Sequence, residues 1–146
     1  MSGTKEIESL VLDKFSFLQD EFGLDKPILN RDTWNTTVSY LSKEIGIEIE
    51  LDWRDLDVFV LITKLDGGRL PKGYYVFNGE TCRVHLEEVL QKNLNVRKNK
   101  IQEVIGSFKK KQKKNQQNMV TRISAYQQLL NNHVGAICSA GRSLFK

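Results

Sequence analysis

A run of alternating acidic and apolar residues in the middle of the chain has the greatest potential for chemistry. In "EIGIEIELDWRDLD", residues 44–57, a period of two places the acidic side chains on one face of a predicted strand and in the turn after it. These residues are Glu44, Glu48, Glu50, Asp52, Asp55 and Asp57. Paired carboxylates act as catalytic acids and bases only when burial and neighbouring groups tune them, and the sequence shows no such groups. The pattern therefore predicts a solvated outer face, or a surface that imitates a phosphate backbone or binds a basic protein partner.

A run of lysines in "FKKKQKKNQQN" suggests the opposite kind of partner. The basic residues of this run are Lys109, Lys110, Lys111, Lys113 and Lys114. On a helix they would spread around most of the circumference and could contact phosphates without reading bases. Residues 109–118 contain no aromatic residue and no arginine, so base stacking and bidentate contacts to guanine are unsupported. We expect a solvent-exposed stretch, with weak and non-specific nucleic-acid binding as the alternative function.

The motifs of common enzymes and metal sites do not occur in this sequence. There is no phosphate-binding glycine loop, nucleophile elbow or HExxH helix. Four soft metal ligands are present, Cys82 with His85 and His133 with Cys138, but their spacing matches no strong zinc signature. We therefore expect free thiols, no catalytic residues, no metal, no cofactor and no enzymatic activity.

The charge of the chain is divided unevenly between its two parts. Residues 1–90 contain 10 Lys/Arg and 17 Asp/Glu, whereas residues 91–146 contain 12 Lys/Arg and a single Glu. This asymmetry predicts a charged partner, or docking of the two parts on one another. No apolar run approaches the roughly 20 residues that span a bilayer, and the first ten residues lack the apolar core of a signal peptide. We expect a cytoplasmic chain without a membrane partner.

The N-terminal part of the sequence shows helical periodicity. Apolar residues recur every three or four positions over residues 6–22, and Gly23 follows as a typical helix stop, so we predict one helix. The next stretch, "LDKPILNRD", contains Pro27, which removes a backbone donor and restricts the residue before it. We predict that residues 24–32 are a connection.

The middle of the chain changes to a period of two. We predict an antiparallel meander of about four strands, over residues 34–40, 45–53, 57–65 and 74–77. The third of these is apolar at nearly every position, so we place it at the centre of the sheet, covered on both faces. Asn78-Gly79 after the fourth is a typical hairpin turn.

The C-terminal part returns to helical periodicity. We predict a helix capped by Thr81 and a second that begins near Arg97. The apolar pattern lapses in the lysine run and then resumes, which leaves one long helix or two helices with a hinge over residues 97–133. The resumed apolar stripe consists of Met119, Ile123, Tyr126, Leu130 and Val134. It predicts either core packing or a helical seam with another chain in an oligomer or complex. We expect the last residues, 134–146, to be irregular.

These elements predict an α+β fold: an N-terminal helix, an antiparallel meander and a helical C-terminal half. We divide it into a core domain, residues 1–96, and a basic helical region, residues 97–146. In size, single core domain, acidic sheet and lack of catalytic motifs the chain resembles small bacterial immunity or antitoxin proteins. The resemblance covers mainly residues 1–90, and the basic residues 97–122 depart from it. It implies a non-enzymatic protein-binding module that uses the six carboxylates of residues 44–57.

Overall fold

The computed structural model describes residues 3–105 and 115–145. It has the predicted α+β architecture, with helices on one face of an antiparallel sheet. The helices are α1 (Thr4–Lys14), α2 (Phe17–Asp20), α3 (Leu86–Lys92), α4 (Lys98–Ile105) and α5 (Gln116–Ala140), followed by a 3-10 helix (Gly141–Phe145). The strands are β1 (Ile28–Arg31), β2 (Asn35–Leu41), β3 (Ile45–Asp52), β4 (Asp57–Lys64), β5 (Val76–Phe77), β6 (Glu80–Thr81) and β7 (Arg83–His85).

The predicted N-terminal helix is present as two helices with a break between them. The hydroxyl of Ser16 donates a hydrogen bond to the carbonyl of Asp13 (2.9 Å), a local bond that competes with the helical pattern. The break lets the side chains of Phe15 and Phe17 both enter the core. The predicted stop at Gly23 is confirmed, because its φ of 72° is left-handed and the helix does not continue beyond it.

The sheet has the order β1-β2-β3-β4-β7, with every neighbouring pair antiparallel. Strands β2, β3 and β4 confirm the predicted meander, but β3 rather than β4 occupies the centre. The prediction of a connection over residues 24–32 is wrong in part, because residues 28–31 form the edge strand β1 directly after Pro27. A proline just before an edge strand is compatible with pairing, since it need not donate to the ladder.

The fourth predicted strand lies outside this sheet. It is β5, and β6 is its one pairing partner among the described residues. The turn between them has Asn78 (φ 54°) and Gly79 (φ 75°) both left-handed, as a two-residue hairpin requires. The prediction that Thr81 caps a helix is wrong. The chain instead continues through β7, and α3 begins at Leu86, with His85 in an extended conformation before it.

The apolar stripe of α5 packs inside the chain. Its five residues are at most 5% exposed: Met119, Ile123, Tyr126, Leu130 and Val134. They belong to one hydrophobic core with the inward side chains of the sheet and with α1. This packing corrects the hypothesis of a seam with another chain, because the apolar surface of these side chains is already buried within the chain.

The described residues of the C-terminal region form two separate helices, α4 and α5. Helix α5 begins at Gln116, because Asn115 before it is extended (φ −144°, ψ 170°) and its side chain accepts a hydrogen bond from the N–H of Asn118 (2.8 Å). Helix α5 also extends through residues 134–140, which we predicted to be irregular, and ends at Gly141 (φ 54°). The predicted lysine run lies outside the described residues. In the described part of the chain, no helix is both long and apolar enough to cross a membrane.

Candidate functional site

The face of the sheet opposite the helices holds a polar cleft. Outward side chains of β1, β2 and β3 form its floor, and residues 70–74 of the loop between β4 and β5 form one wall. The cleft has a volume of about 370 Å³. Its polar and charged lining residues are Asn30, Asp32, Asn35, Thr37, Ser39, Glu48, Glu50, Lys72, Tyr74 and Arg83. The predicted acidic strand therefore forms part of a concave surface rather than a flat outer face.

Glu48 lies at the bottom of this cleft and is only 3% exposed. Its carboxylate accepts hydrogen bonds from the hydroxyls of Ser39 (2.8 Å) and Thr63, which lie on the two neighbouring strands. It also forms an ion pair with Arg83 on β7, whose Nε is 2.6 Å from the carboxylate oxygen. The charge of Glu48 is therefore balanced inside the chain.

Arg83 also attaches the loop to the sheet. Its Nη1 donates to the carbonyl oxygens of Gly73 (2.7 Å) and Tyr74 (2.9 Å), and its guanidinium lies 5.3 Å from the centre of the Tyr74 ring. The backbone at Gly73 approaches the hairpin closely, because a Cβ added there would collide with the carbonyl oxygen of Val76. The ion pair with Glu48 thus holds one wall of the cleft in position.

Glu50 lies next to Glu48 on the same face but has a different environment. Its half-buried carboxylate accepts a hydrogen bond from the Tyr74 hydroxyl, 3.0 Å from each oxygen. Within residues 3–105 and 115–145, no cationic side chain forms an ion pair with it. Burial raises the pKa of Glu50, with the charges of Glu48 and Asp52 acting in the same direction. Glu50 can therefore accept a cation or a hydrogen-bond donor from outside the chain.

The other predicted carboxylates do not join this site. Glu44 is exposed and accepts a long backbone hydrogen bond (3.3 Å) from the C-terminal 3-10 helix. Asp52 accepts from backbone N–H groups in the turn after β3, including that of Asp55 (3.1 Å), which is itself exposed. Asp57 forms an ion pair with Arg122 of α5. The six carboxylates therefore serve several local roles, and only two of them line the cleft.

Several residues of the cleft were not identified from the sequence. Asn30 of β1 and Asp32, the residue directly after that strand, lie in the stretch predicted as a connection, while Tyr74 and Arg83 come from the loop and from β7. No spacing within the sequence links these residues to Glu50. The alternation of "TCRVH" gave a weak signal for Arg83, because a short strand places Arg83 and His85 on one face.

The first pair of soft metal ligands, Cys82 and His85, has other contacts. The Sγ of Cys82 donates to the carbonyl of Tyr74 (3.1 Å), and Nε2 of His85 is hydrogen-bonded to the Tyr75 hydroxyl (3.0 Å). Burial raises the pKa of the Cys138 thiol. In the described part of the chain, no group of three or more His, Cys, Asp or Glu side chains has the arrangement needed to hold a metal ion.

A second polar network lies on the helix side of β1. The buried carboxylate of Glu8 on α1 accepts hydrogen bonds from Arg31 (3.0 to 3.2 Å) and from Thr36 (2.7 Å), and Thr36 in turn accepts from the indole of Trp53 (2.9 Å). Burial alone would raise the pKa of Glu8, but the bonds from Arg31 and Thr36 outweigh it and lower the pKa. A groove of about 470 Å³ lies above this network, and the exposed Trp34 is part of its lining.

Comparison with protein-family models, with curated proteins and with solved structures finds no significant match to this chain. Its function is therefore argued from the geometry of the cleft.

Proposed function

We propose that this chain is a non-catalytic protein-binding module whose partner docks on the outer face of the sheet with a basic side chain in the cleft. The observation that supports this most strongly is the half-buried carboxylate of Glu50, which accepts a hydrogen bond from Tyr74 but has no ion pair among the described residues. A lysine or arginine of the partner would supply the opposite charge through charge-assisted hydrogen bonds. The ring of Tyr74 would offer a second contact to the same cation.

The environment of Glu50 also predicts a conflict between stability and binding. Burial raises the pKa of Glu50, so the folded state favours the protonated carboxyl. The stability that the protonated carboxyl contributes is fully present below the unfolded pKa of about 4.3 and is lost as the pH rises through the folded pKa. At neutral pH the ionised Glu50 therefore works against folding. Glutamine can still accept the hydrogen bond from Tyr74 without carrying a charge. We expect Glu50→Gln to be at least as stable as the wild type at pH 7 and to bind the partner more weakly.

Protein binding of this kind agrees with the resemblance to small immunity or antitoxin proteins, in which the module would occlude a toxin. In this proposal the fixed loop and sheet form a preformed surface, and the acidic cleft selects a basic partner. Complementary charge acts mainly on the rate of association and on its dependence on salt.

The test uses two variants that each add one positive charge. Thr37 lies opposite Glu50 in the strand pairing and lines the cleft, so Thr37→Arg should fill the cleft and neutralise its charge. Ser9 is exposed on α1, so Ser9→Arg is the matched control. Affinity-tagged wild type and both variants are used to capture proteins from the source cells, and each captured protein is then purified and titrated against them.

We expect a captured protein that binds the wild type and Ser9→Arg with equal affinity in the purified titration but binds Thr37→Arg at least about tenfold more weakly, as for other central interface changes. Circular dichroism should show that all three chains are folded. Equal binding of the purified protein by Thr37→Arg and by the wild type would refute the cleft as the docking site.

A further inference from the structure

Strand β1 presents an unpaired edge. In its antiparallel pairing with β2, the N–H of Asp32 bonds to the carbonyl of Asn35 (2.7 Å), and hydrogen-bonded pairs alternate from there along the strand. The backbone groups of Ile28 and Asn30 therefore point towards β2, while those of Leu29 and Arg31 point away from it. Among the described residues, no backbone or side-chain group hydrogen-bonds to these outward N–H and C=O groups.

A pocket flanks this edge on each face of the sheet. On the outer face, Ile28 and Asp32 line the cleft, and Ile28 is 47% exposed. On the helix side, Arg31 and Trp34 line the second groove, and Trp34 is 53% exposed. Tryptophan is among the residues that are most enriched at binding hot spots. A strand added beside β1 would direct alternate side chains to these two pockets.

We propose that the partner binds as an extended segment that adds a sixth strand to the sheet along β1, an inference that rests on the proposed protein-binding function. Main-chain hydrogen bonds to Leu29 and Arg31 provide affinity, and the two pockets read alternate side chains. The side chain beside Asp32 is basic, because it points into the acidic cleft that contains Glu50. The side chains of the segment that point to the other face of the sheet are apolar, because they pack on the indole of Trp34.

The backbone is tested with peptides selected from a phage-displayed library of random 12-residue sequences. The best binder is synthesised with a single N-methyl group at each successive residue, which removes one N–H at a time. We expect affinity to fall by about tenfold or more at every second residue and to change little at the residues between, because only alternate N–H groups face β1. In the selected peptides, a basic side chain should occur at one set of alternate positions and apolar side chains at the positions between them.

The edge is tested with two substitutions at one position. Leu29→Pro removes the outward N–H, and proline is tolerated on edge strands where the N–H faces solvent. Leu29→Ala keeps the N–H and removes more of the side chain than Leu29→Pro does, so it controls for the loss of side-chain contacts. We expect the selected peptide to bind Leu29→Ala nearly as well as the wild type and to bind Leu29→Pro about tenfold more weakly. If Leu29→Pro does not fold, the N-methyl series on the wild type decides the question.

Three results would overturn the proposal. The first is an N-methyl series without alternation, or a library that gives no specific binder. The second is equal binding by folded Leu29→Pro and Leu29→Ala. The third is a wild-type dimer in sedimentation that Leu29→Pro dissociates and Leu29→Ala does not, because the edge would then bind a second copy of this chain. If Thr37→Arg loses partner binding but the N-methyl series shows no alternation in affinity, only the added strand is refuted and the cleft is supported. If the series alternates but Thr37→Arg binds like the wild type, only the cleft is refuted.

Discussion

Replacing Arg83 by methionine should destabilise the fold and release the loop that forms one wall of the cleft. The side chain of Arg83 is 10% exposed and that of Glu48 is 4% exposed, so water screens their interaction little. Removing one partner of a buried ion pair typically costs about 3–5 kcal/mol, because the other charge stays buried and unbalanced. The two hydroxyls that donate to Glu48 remain, so we expect a value near the lower end, about 3 kcal/mol.

A second substitution separates the ion pair from simple loss of packing. In Glu48→Gln/Arg83→Met, the glutamine oxygen accepts from one of the two hydroxyls and its amide nitrogen can donate to the other, and no charge is left buried. The double variant should therefore lose only about 1–2 kcal/mol, the scale of the hydrogen bonds that Arg83 makes to the loop. A double variant that is less destabilised than Arg83→Met alone would show that the two residues are energetically coupled.

Urea denaturation at pH 7, followed by far-UV circular dichroism, measures the free energy of unfolding of each variant. Limited trypsin digestion reports on the loop, because Arg69 and Lys72 are exposed cleavage sites within it. We expect cleavage at these two residues to be faster in Arg83→Met than in the wild type. A loss of stability below about 1 kcal/mol, with unchanged cleavage, is what a solvent-screened surface pair would give and would refute the reasoning.

Three further predictions concern the core, the Glu8 network and the lysine run. Trp53→Ala should cost about 3–5 kcal/mol in urea denaturation, far more than Trp34→Ala, because Trp53 is 7% exposed and Trp34 is 53% exposed; equal midpoints would contradict the assigned face. Because its pKa is lowered, ionised Glu8 stabilises the fold above its unfolded pKa of about 4.3, and this contribution is lost as the pH falls through the folded pKa. The difference in urea midpoint between the wild type and Glu8→Gln should therefore narrow below about pH 4, and a constant difference would contradict this prediction. Replacing the five lysines within residues 109–114 by glutamine should leave binding to duplex DNA weak and unchanged at physiological salt, as measured by fluorescence anisotropy, whereas tight, salt-dependent binding lost in the variant would support the nucleic-acid alternative.

Local periodicity was sufficient for much of the fold. The alternation in β2 and β3 predicted both strands and their buried faces, and Asn78-Gly79 predicted the hairpin turn, because these signals depend on neighbouring residues alone. Strand β1 escaped prediction because it is only four residues long and its apolar residues do not alternate. It becomes a strand because β2 offers a partner for its backbone, which is a tertiary effect.

The two central carboxylates separate what the sequence determines from what the tertiary structure decides. Glu48 and Glu50 are two residues apart on one strand, so the sequence by itself placed both on the same face and made them equivalent. The fold brings Arg83, 35 residues further along the chain, to Glu48 through the pairing of β4 with β7, and brings the Tyr74 hydroxyl to Glu50. The charge of Glu48 is thereby balanced by Arg83, whereas Glu50 has no ion pair among the described residues. A period of two determines which face a side chain occupies, but its neighbours on that face depend on the pairing of strands that are distant in the sequence.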